Sequence, residues 1–289
     1  MTALCDIGRA KLNLTLEVLG RRPDGFHELR SLVAFAGIGD VLELEPGPAL
    51  GLSVEGPFAD ALDGENLIIT AAEATKIANP DLRLGRFRLI KALPVAAGLG
   101  GGSADAAAAL RLIARANDGT PTEAELAGLA AGLGSDVSVC LASRSALIAG
   151  RGHKVRFAKG FPNCGAVLAN PGLPLATVAV YAALNAAPLR VSPEAEPESP
   201  DFAGDFRKLV QYLDPRGNDL EPAAIRLAPV IKNVLATLRG LPGARIVRLS
   251  GSGPTCFALF ATEAEAKRNV TALAAEHPNW WVAATELGD

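Results

Sequence analysis

The segment LPVAAGLGGGSADAAAALRLIARANDG, residues 93 to 119, constrains this chain more than any other. Glycine-rich sequence passes directly into an alanine-rich stretch, predicted to be helical from near Ser103 to a stop at Asn117-Asp118-Gly119. A glycine-rich turn feeding a helix makes an anion site, because the first backbone N–H groups of the helix point into the loop and the helix dipole adds positive potential. Glycines at 98, 100, 101 and 102 let the backbone approach phosphate oxygens without a Cβ in the way. Ser103 can cap the helix or offer its hydroxyl to a phosphate. The bland alternative is a plain strand-to-helix turn, but four glycines in five positions are costly in chain entropy for a turn alone.

Two familiar phosphate motifs are missing. The chain has no Gly-Lys dipeptide, which excludes a GxxxxGK[ST] loop, and counting from Gly98 the last glycine of GxGxxG is replaced by Ser103.

Around this segment, AKLNLTLEVLG, LRSLVAFAGI and DVLELEP read as strands, broken at RRPDGFHE and GIGD, each with turn chemistry. Glu65-Asn66 opens a helix to about Ala78, and RFRLIKAL is a strand ending at Pro94. After Gly119, Thr120 and Glu123 form a capping-box pattern with Pro121 at the first helical position; this helix is predicted to end at Gly132. Gly134-Ser135-Asp136-Val137 is then a turn into the strand-like run VSVCLA. The character changes near Lys159 to Pro162, which suggests two domains, 1–160 and 161–289. The second begins with strand CGAVLAN, and Asn185 to Asp205 has the composition of an exposed loop. A helix from Asn218, strand ARIVRLS, loop GSGP, strand TCFALF, helix AEAKRNVTALAAEH and strand WWVAATEL complete it, an α+β order of ferredoxin-like type.

Composition narrows the partners. A formal net charge of −3 without a basic stripe argues against nucleic acid. The four cysteines form no CxxC pair and adjoin no histidine, so no zinc site is expected. No apolar run reaches the ~18 residues of a membrane span, and the start lacks a signal-peptide pattern; a soluble cytoplasmic protein is expected.

The segment LPVAAGLGGGSADAA resembles the second motif of the GHMP kinases, which include galactokinase and the homoserine, mevalonate and phosphomevalonate kinases. AKLNLTLEVLGRRPDGFHEL, GSDVSVCL and LSGSGPTCFALF narrow the resemblance to the branch that phosphorylates a cytidine-diphosphate-linked polyol for non-mevalonate isoprenoid synthesis. The resemblance implies an N-terminal α/β domain like the second domain of ribosomal protein S5 and a C-terminal ferredoxin-like domain, with ATP and substrate in a cleft between them. It implies ATP as co-substrate; the sequence shows no cluster of carboxylates that announces a metal cage, so Mg²⁺ is expected to ride on the ATP phosphates.

Residue by residue, it implies catalytic roles for Asp136, which takes the acceptor proton, and Lys11, which holds that aspartate ionised. Without it, Asp136 reads as a turn or cap residue and Lys11 as an outward strand residue, although Asn13 shares the face of Lys11. The ATP site is implied at Pro94, Val95, Ala96, Ala97, Gly98, Leu99, Gly100, Gly101, Gly102, Ser103 and Ala104, with Asn66 and Lys91 at the adenosine. The substrate site is implied at Asn13, Phe26, His27, Tyr181, Gly251, Ser252 and Gly253; Phe26 and Tyr181 would stack on cytosine while His27 reads its edge. Phe26 stands where tyrosine is commoner in the family. The alternatives are a mevalonate- or homoserine-kinase-like enzyme, or a non-catalytic S5-like binding module.

Overall fold

The computed structural model describes residues 3–190 and 198–289. Along the chain, β1 (Leu4–Asn13), β2 (Glu17–Arg21), β3 (His27–Glu45) and β4 (Gly51–Glu55) precede α1 (Leu67–Ala78) and β5 (Arg86–Ile90). Helices α2 (Gly101–Ala116), α3 (Glu123–Leu133) and α4 (Val137–Ala142) follow, then β6 (Ala146–Gly150), β7 (Lys154–Phe157) and β8 (Cys164–Asn170). The rest comprises α5 (Thr177–Leu184), α6 (Phe206–Leu213), α7 (Glu221–Leu227), α8 (Val230–Arg239), β9 (Ile246–Leu249), β10 (Cys256–Phe260), α9 (Glu263–Glu276) and β11 (Trp281–Leu287).

These elements form two compact units, each drawn from several stretches. The first takes Met1–Ala10, Ile38–Val95 and Gly100–Ser143; the second takes Lys11–Gly37, Ala96–Leu99 and Arg144–Asp289. In the first, β4 lies parallel to β5, which pairs antiparallel with Val41 to Glu45 of β3. Leu42, Leu44, Phe87 and Leu89 of this sheet pack on Ile68 and Ala72 of α1 and on Ala108, Ala109, Leu112 and Ile113 of α2. The alanines explain the close seating of α2: a small side chain lets the helix approach its neighbours without voids.

In the second unit, β11, β8, β10 and β9 lie side by side in that order, all antiparallel. With α8 and α9 packed on this sheet, the order is ferredoxin-like, as expected. The core joins Val167, Ala169, Leu249, Ala258 and Phe260 to Ile231, Val234, Leu235, Leu238 and Leu273. The first half of β3 pairs with β2 and with β6, and β7 pairs with β6.

Several local expectations are corrected. GIGD is no break: β3 continues through it, and Gly39 is there because a Cβ would fall 2.3 Å from the Gly8 carbonyl oxygen. VSVCLA is the helix α4, since Val137 and Val139 are buried against the helices of the first unit and packing overrides their β-propensity. The α3 capping box is Thr122 with Glu125, one repeat of the Thr-x-x-Glu pattern later than Thr120 with Glu123. The helix expected from Asn218 is two, because Pro229 has no N–H and its ring crowds the preceding turn. Of the expected loop at 185–205, residues 191–197 lie outside the described residues. The remainder is anchored: Arg21 bonds Ala187 and Leu189, and Lys159 bonds Pro200 and Phe202 through the backbone.

Candidate active site

Each unit carries its own group of candidate residues. In the first, α2 starts at Gly101, two residues before the expected Ser103, and its N-cap is Gly100 at φ 65°, a left-handed conformation that favours glycine. No side chain caps this helix start, an arrangement that favours an anion at the first-turn N–H groups. Gly102 is exposed there, and a Cβ built on it would lie 3.8 Å from Leu67 at the start of α1. Asn66 caps α1, its Oδ1 accepting from the Ile68 N–H at 2.9 Å. The Lys91 ammonium donates to Asp40 Oδ2 at 2.5 Å and to Asp105 Oδ2 at 2.8 Å. Burial alone would lower the Lys91 pKa, but Asp105 and Asp40 together hold it above the ordinary lysine value.

Asp136 begins α4 and is half-buried, yet its side chain makes no cap bond to that helix. The turn is closed by the backbone, Val137 N–H to the Gly134 carbonyl at 3.1 Å and Cys140 N–H to the Asp136 carbonyl at 3.1 Å. The carboxylate is therefore not held as a helix cap, the commonest structural role for Asp at this position.

In the second unit, Lys11 and Asn13 share one face of β1 and are only 3% and 5% exposed. Lys11 Nζ donates to Asn13 Oδ1 at 3.1 Å; Asn13 Nδ2 donates to Ser31 Oγ at 2.8 Å, and Ser31 Oγ donates to the Thr15 carbonyl. A buried ammonium on a chain of satisfied partners has a defined position, unlike an outward-facing lysine. The Lys11 N–H also donates to the Leu99 carbonyl at 2.8 Å, which ties the loop at 96–99 to this strand.

That loop packs on the GSGP loop. Ser250 Oγ donates to the Gly98 carbonyl at 2.9 Å, and a Cβ on Gly98 (φ 74°) would fall 2.3 Å from the Ser250 carbonyl oxygen. Gly251 has φ 55° and its carbonyl accepts from Asn218 Nδ2 at 2.8 Å. The Ser252 and Thr177 hydroxyls are 2.8 Å apart. So Ala96 to Leu99, Asn13 and Gly251 to Gly253 are brought together within this unit. Pro94, Val95 and Gly100 to Ala104 belong to the other.

The hairpin β2–β3 presents the aromatic residues. Pro23-Asp24-Gly25 makes the turn, with Gly25 N–H to the Arg22 carbonyl at 3.1 Å and Phe26 N–H to Asp24 Oδ1 at 3.1 Å. Arg22 ties it down through Asp24 and Glu28. Phe26 is left 56% exposed, with the Arg151 guanidinium 4.8 Å from its ring centre. His27 meets Tyr181 at 4.7 Å between ring centres, tilted by 31°. Burial, then the charge of Arg21, lowers the His27 pKa, so the imidazole is neutral and offers one donor and one acceptor.

Comparison with known proteins bears on what these groups do. The profile described as "GHMP kinases N terminal domain" matches residues 66–144, and "GHMP kinases C terminal" matches 200–279. A 4-diphosphocytidyl-2-C-methyl-D-erythritol kinase of Rhodopseudomonas palustris is 48% identical, over 98% of this chain and 97% of its own. The chain belongs to this family of GHMP kinases. A relative of the same name from Methylobacterium radiotolerans is 47% identical over 99% of this chain and 100% of its own. The crystal structure of a 4-(cytidine 5'-diphospho)-2C-methyl-D-erythritol kinase superposes with TM-score 0.76 at 34% identity, covering 99% of this chain and 100% of that one. A homoserine kinase from Cytophaga hutchinsonii, 16% identical with TM-score 0.69, shares the fold (99% and 95% covered).

Sequence reasoning did not find Asp40, Asp105, Ser31, Ser250 or Asn218. Asp40 lies in GIGD, whose glycines read as a turn, and its partners at 91 to 93 are some fifty residues away. The one available signal was Asp105 itself, an acidic side chain inside an alanine-rich helix whose neighbours are all buried.

Proposed function

We propose that the protein transfers the γ-phosphoryl group of ATP to the 2-hydroxyl of 4-diphosphocytidyl-2-C-methyl-D-erythritol, releasing ADP, in the cytoplasm. The observation that carries this reading is the extent of the match. Kinases of that name align over 97–99% of this chain in several organisms, so the anion helix, the polar strand and the aromatic hairpin all fall inside the matched region. The homoserine kinase, at 16% identity, shares the fold alone.

In this reading ATP enters with Mg²⁺ on its phosphates, and the first turn of α2 neutralises part of their charge. Asn66 lies on the adenosine side. The acceptor oxygen attacks the γ-phosphorus while the bond from that phosphorus to the β–γ bridging oxygen breaks, and the acceptor proton passes to Asp136. Lys11, oriented by Asn13, polarises the acceptor hydroxyl. Phe26 and Tyr181 stack on the cytosine, and neutral His27 bonds its edge. No helix among the described residues is long and apolar enough to cross a membrane.

The direct test is ADP release against a panel of acceptors. Turnover with the cytidyl-diphospho-methylerythritol is expected, and turnover of mevalonate or homoserine in its place overturns the assignment.

The base pocket gives a second expected result. Phe26→Leu removes one stack, worth ~1–3 kcal/mol, and should raise the KM for the cytidyl substrate by roughly tenfold with the KM for ATP unchanged. Phe26→Tyr keeps the ring and should stay close to wild type. If Phe26→Leu moves the KM for ATP instead, the ring serves the nucleotide donor and this assignment is wrong.

A further inference from the structure

Beneath the first turn of α2 lie three charged side chains that the reaction does not use directly. The Lys91 side chain is 3% exposed, Asp40 0% and Asp105 4%. They lie against the helix start: a Cβ built on Gly101 would be 3.1 Å from Lys91 Nζ and 3.5 Å from Asp40 Oδ2. One ammonium with two ionised carboxylates would put a net negative charge, away from water, under an anion-binding turn. Two carboxylates sharing so dry a place do not both ionise readily.

The hydrogen bonds distinguish the two carboxylates. Asp40 accepts three bonds, from Lys91 Nζ and from the Ala92 and Leu93 N–H groups at 2.7 and 2.8 Å. Three donors stabilise an anion. Asp105 accepts from Lys91 on Oδ2, while its buried Oδ1 has no partner. The groups facing it are Lys91 from the end of β5 and Asp40 from β3. From β1 comes Gly8, where a Cβ would fall 2.5 Å from Oδ1, and further along α2 Arg111 turns away to Asp6.

We propose that Asp105 is a positioning residue for ATP that acts as the neutral carboxylic acid, holding Lys91 in place and leaving the group under the phosphate helix uncharged. This rests on the reading that the start of α2 holds the phosphates. Burial is the largest influence on Asp105; against the pull of Lys91, and with the Asp40 charge added, its pKa is pushed up to about 7. Ionisation just above neutrality then adds a negative charge beneath the bound phosphates, and ATP binding weakens.

The test compares the KM for ATP of wild type, Asp105→Asn, Asp105→Leu and Gly102→Val between about pH 6 and about pH 8.5. ATP titrates identically in every arm, so differences between curves belong to the protein. The wild-type KM for ATP is expected to rise about three- to tenfold more than that of Asp105→Asn, the Coulomb effect of one charge at this range. Asp105→Leu, which cannot hold the ammonium, should raise it at every pH and leave the KM for the cytidyl substrate unchanged. Coincident curves for wild type and Asp105→Asn overturn the proposal. So does a loss in Asp105→Asn at pH 6 as large as in Asp105→Leu, which would mean that the anion is needed.

Gly102→Val separates this from its premise. The exposed position tolerates the side chain sterically but obstructs an anion, so an unchanged KM for ATP there refutes the phosphate reading itself. Should Asp105→Asn fail to fold, the wild-type infrared difference spectrum across the same pH range decides. A buried carboxylic acid band lost on raising the pH supports the proposal, and its absence refutes it.

Discussion

Replacing Asp136 with asparagine is expected to lower kcat by ~10²–10⁴ and to leave both KM values within a few-fold. The substitution keeps size and shape but removes the ability to accept a proton. Local structure should survive it, because the turn that starts α4 is closed by backbone bonds and the Asp136 side chain makes no cap bond to it. Much of phosphoryl-transfer catalysis is positioning and charge stabilisation, so a residual rate well above the uncatalysed one should persist. Kinetics and a melting curve on the same variant decide the matter. An unchanged kcat means that the proton leaves by another route, and a collapsed melting temperature means that Asp136 is structural.

The contrast between legible and illegible parts of this protein follows the range of the interactions. The helix α2 could be read because its glycines and alanines act within one segment. Its start was misplaced at Ser103 because Gly100 serves as N-cap through its left-handed φ of 65°, which a residue name announces poorly. The pairing of Lys11 with Asn13 followed from strand alternation, whereas their partners Ser31 and Ser250 lie far along the chain and left no local trace. GIGD has the composition of a turn, with glycine at 37 and 39. Gly39 instead lets β1 and β3 approach, and the aspartate reaches Lys91. VSVCLA shows the same limit from the other side, because six residues carry too little periodicity to outweigh the helices they pack against. The aromatic roles came from family resemblance; the structure adds Arg151 over Phe26, which no local motif suggested.

The same long-range contact sets the largest expected effect on stability. Lys91→Met keeps the length and apolar stem of the side chain and deletes the ammonium, leaving Asp40 and Asp105 beside each other with side chains 0% and 4% exposed. Removing one partner from a buried ion group costs about 3–5 kcal/mol, which for a domain of this size lowers Tm on the order of 10 °C. The pH dependence carries a definite sign. Asp105 already has a folded-state pKa raised from 3.8 to about 7, so the folded state binds its proton more tightly than the unfolded chain does. Its contribution is therefore fully present below the unfolded value and is lost as the pH rises through the folded one. Lys91 opposes that shift, so deleting it pushes the Asp105 carboxyl higher still and extends the loss to higher pH. The deficit of Lys91→Met against wild type should thus be smaller near pH 5.5 and larger near pH 8.5, as read by denaturant midpoints at both. Adding Asp105→Leu to Lys91→Met should recover part of the stability, since Asp40 alone retains the Ala92 and Leu93 N–H bonds. A Lys91→Met protein within about 1 kcal/mol of wild type at both pH values would show that the group tolerates an uncompensated carboxylate, and the charge argument for this corner of the fold would fail.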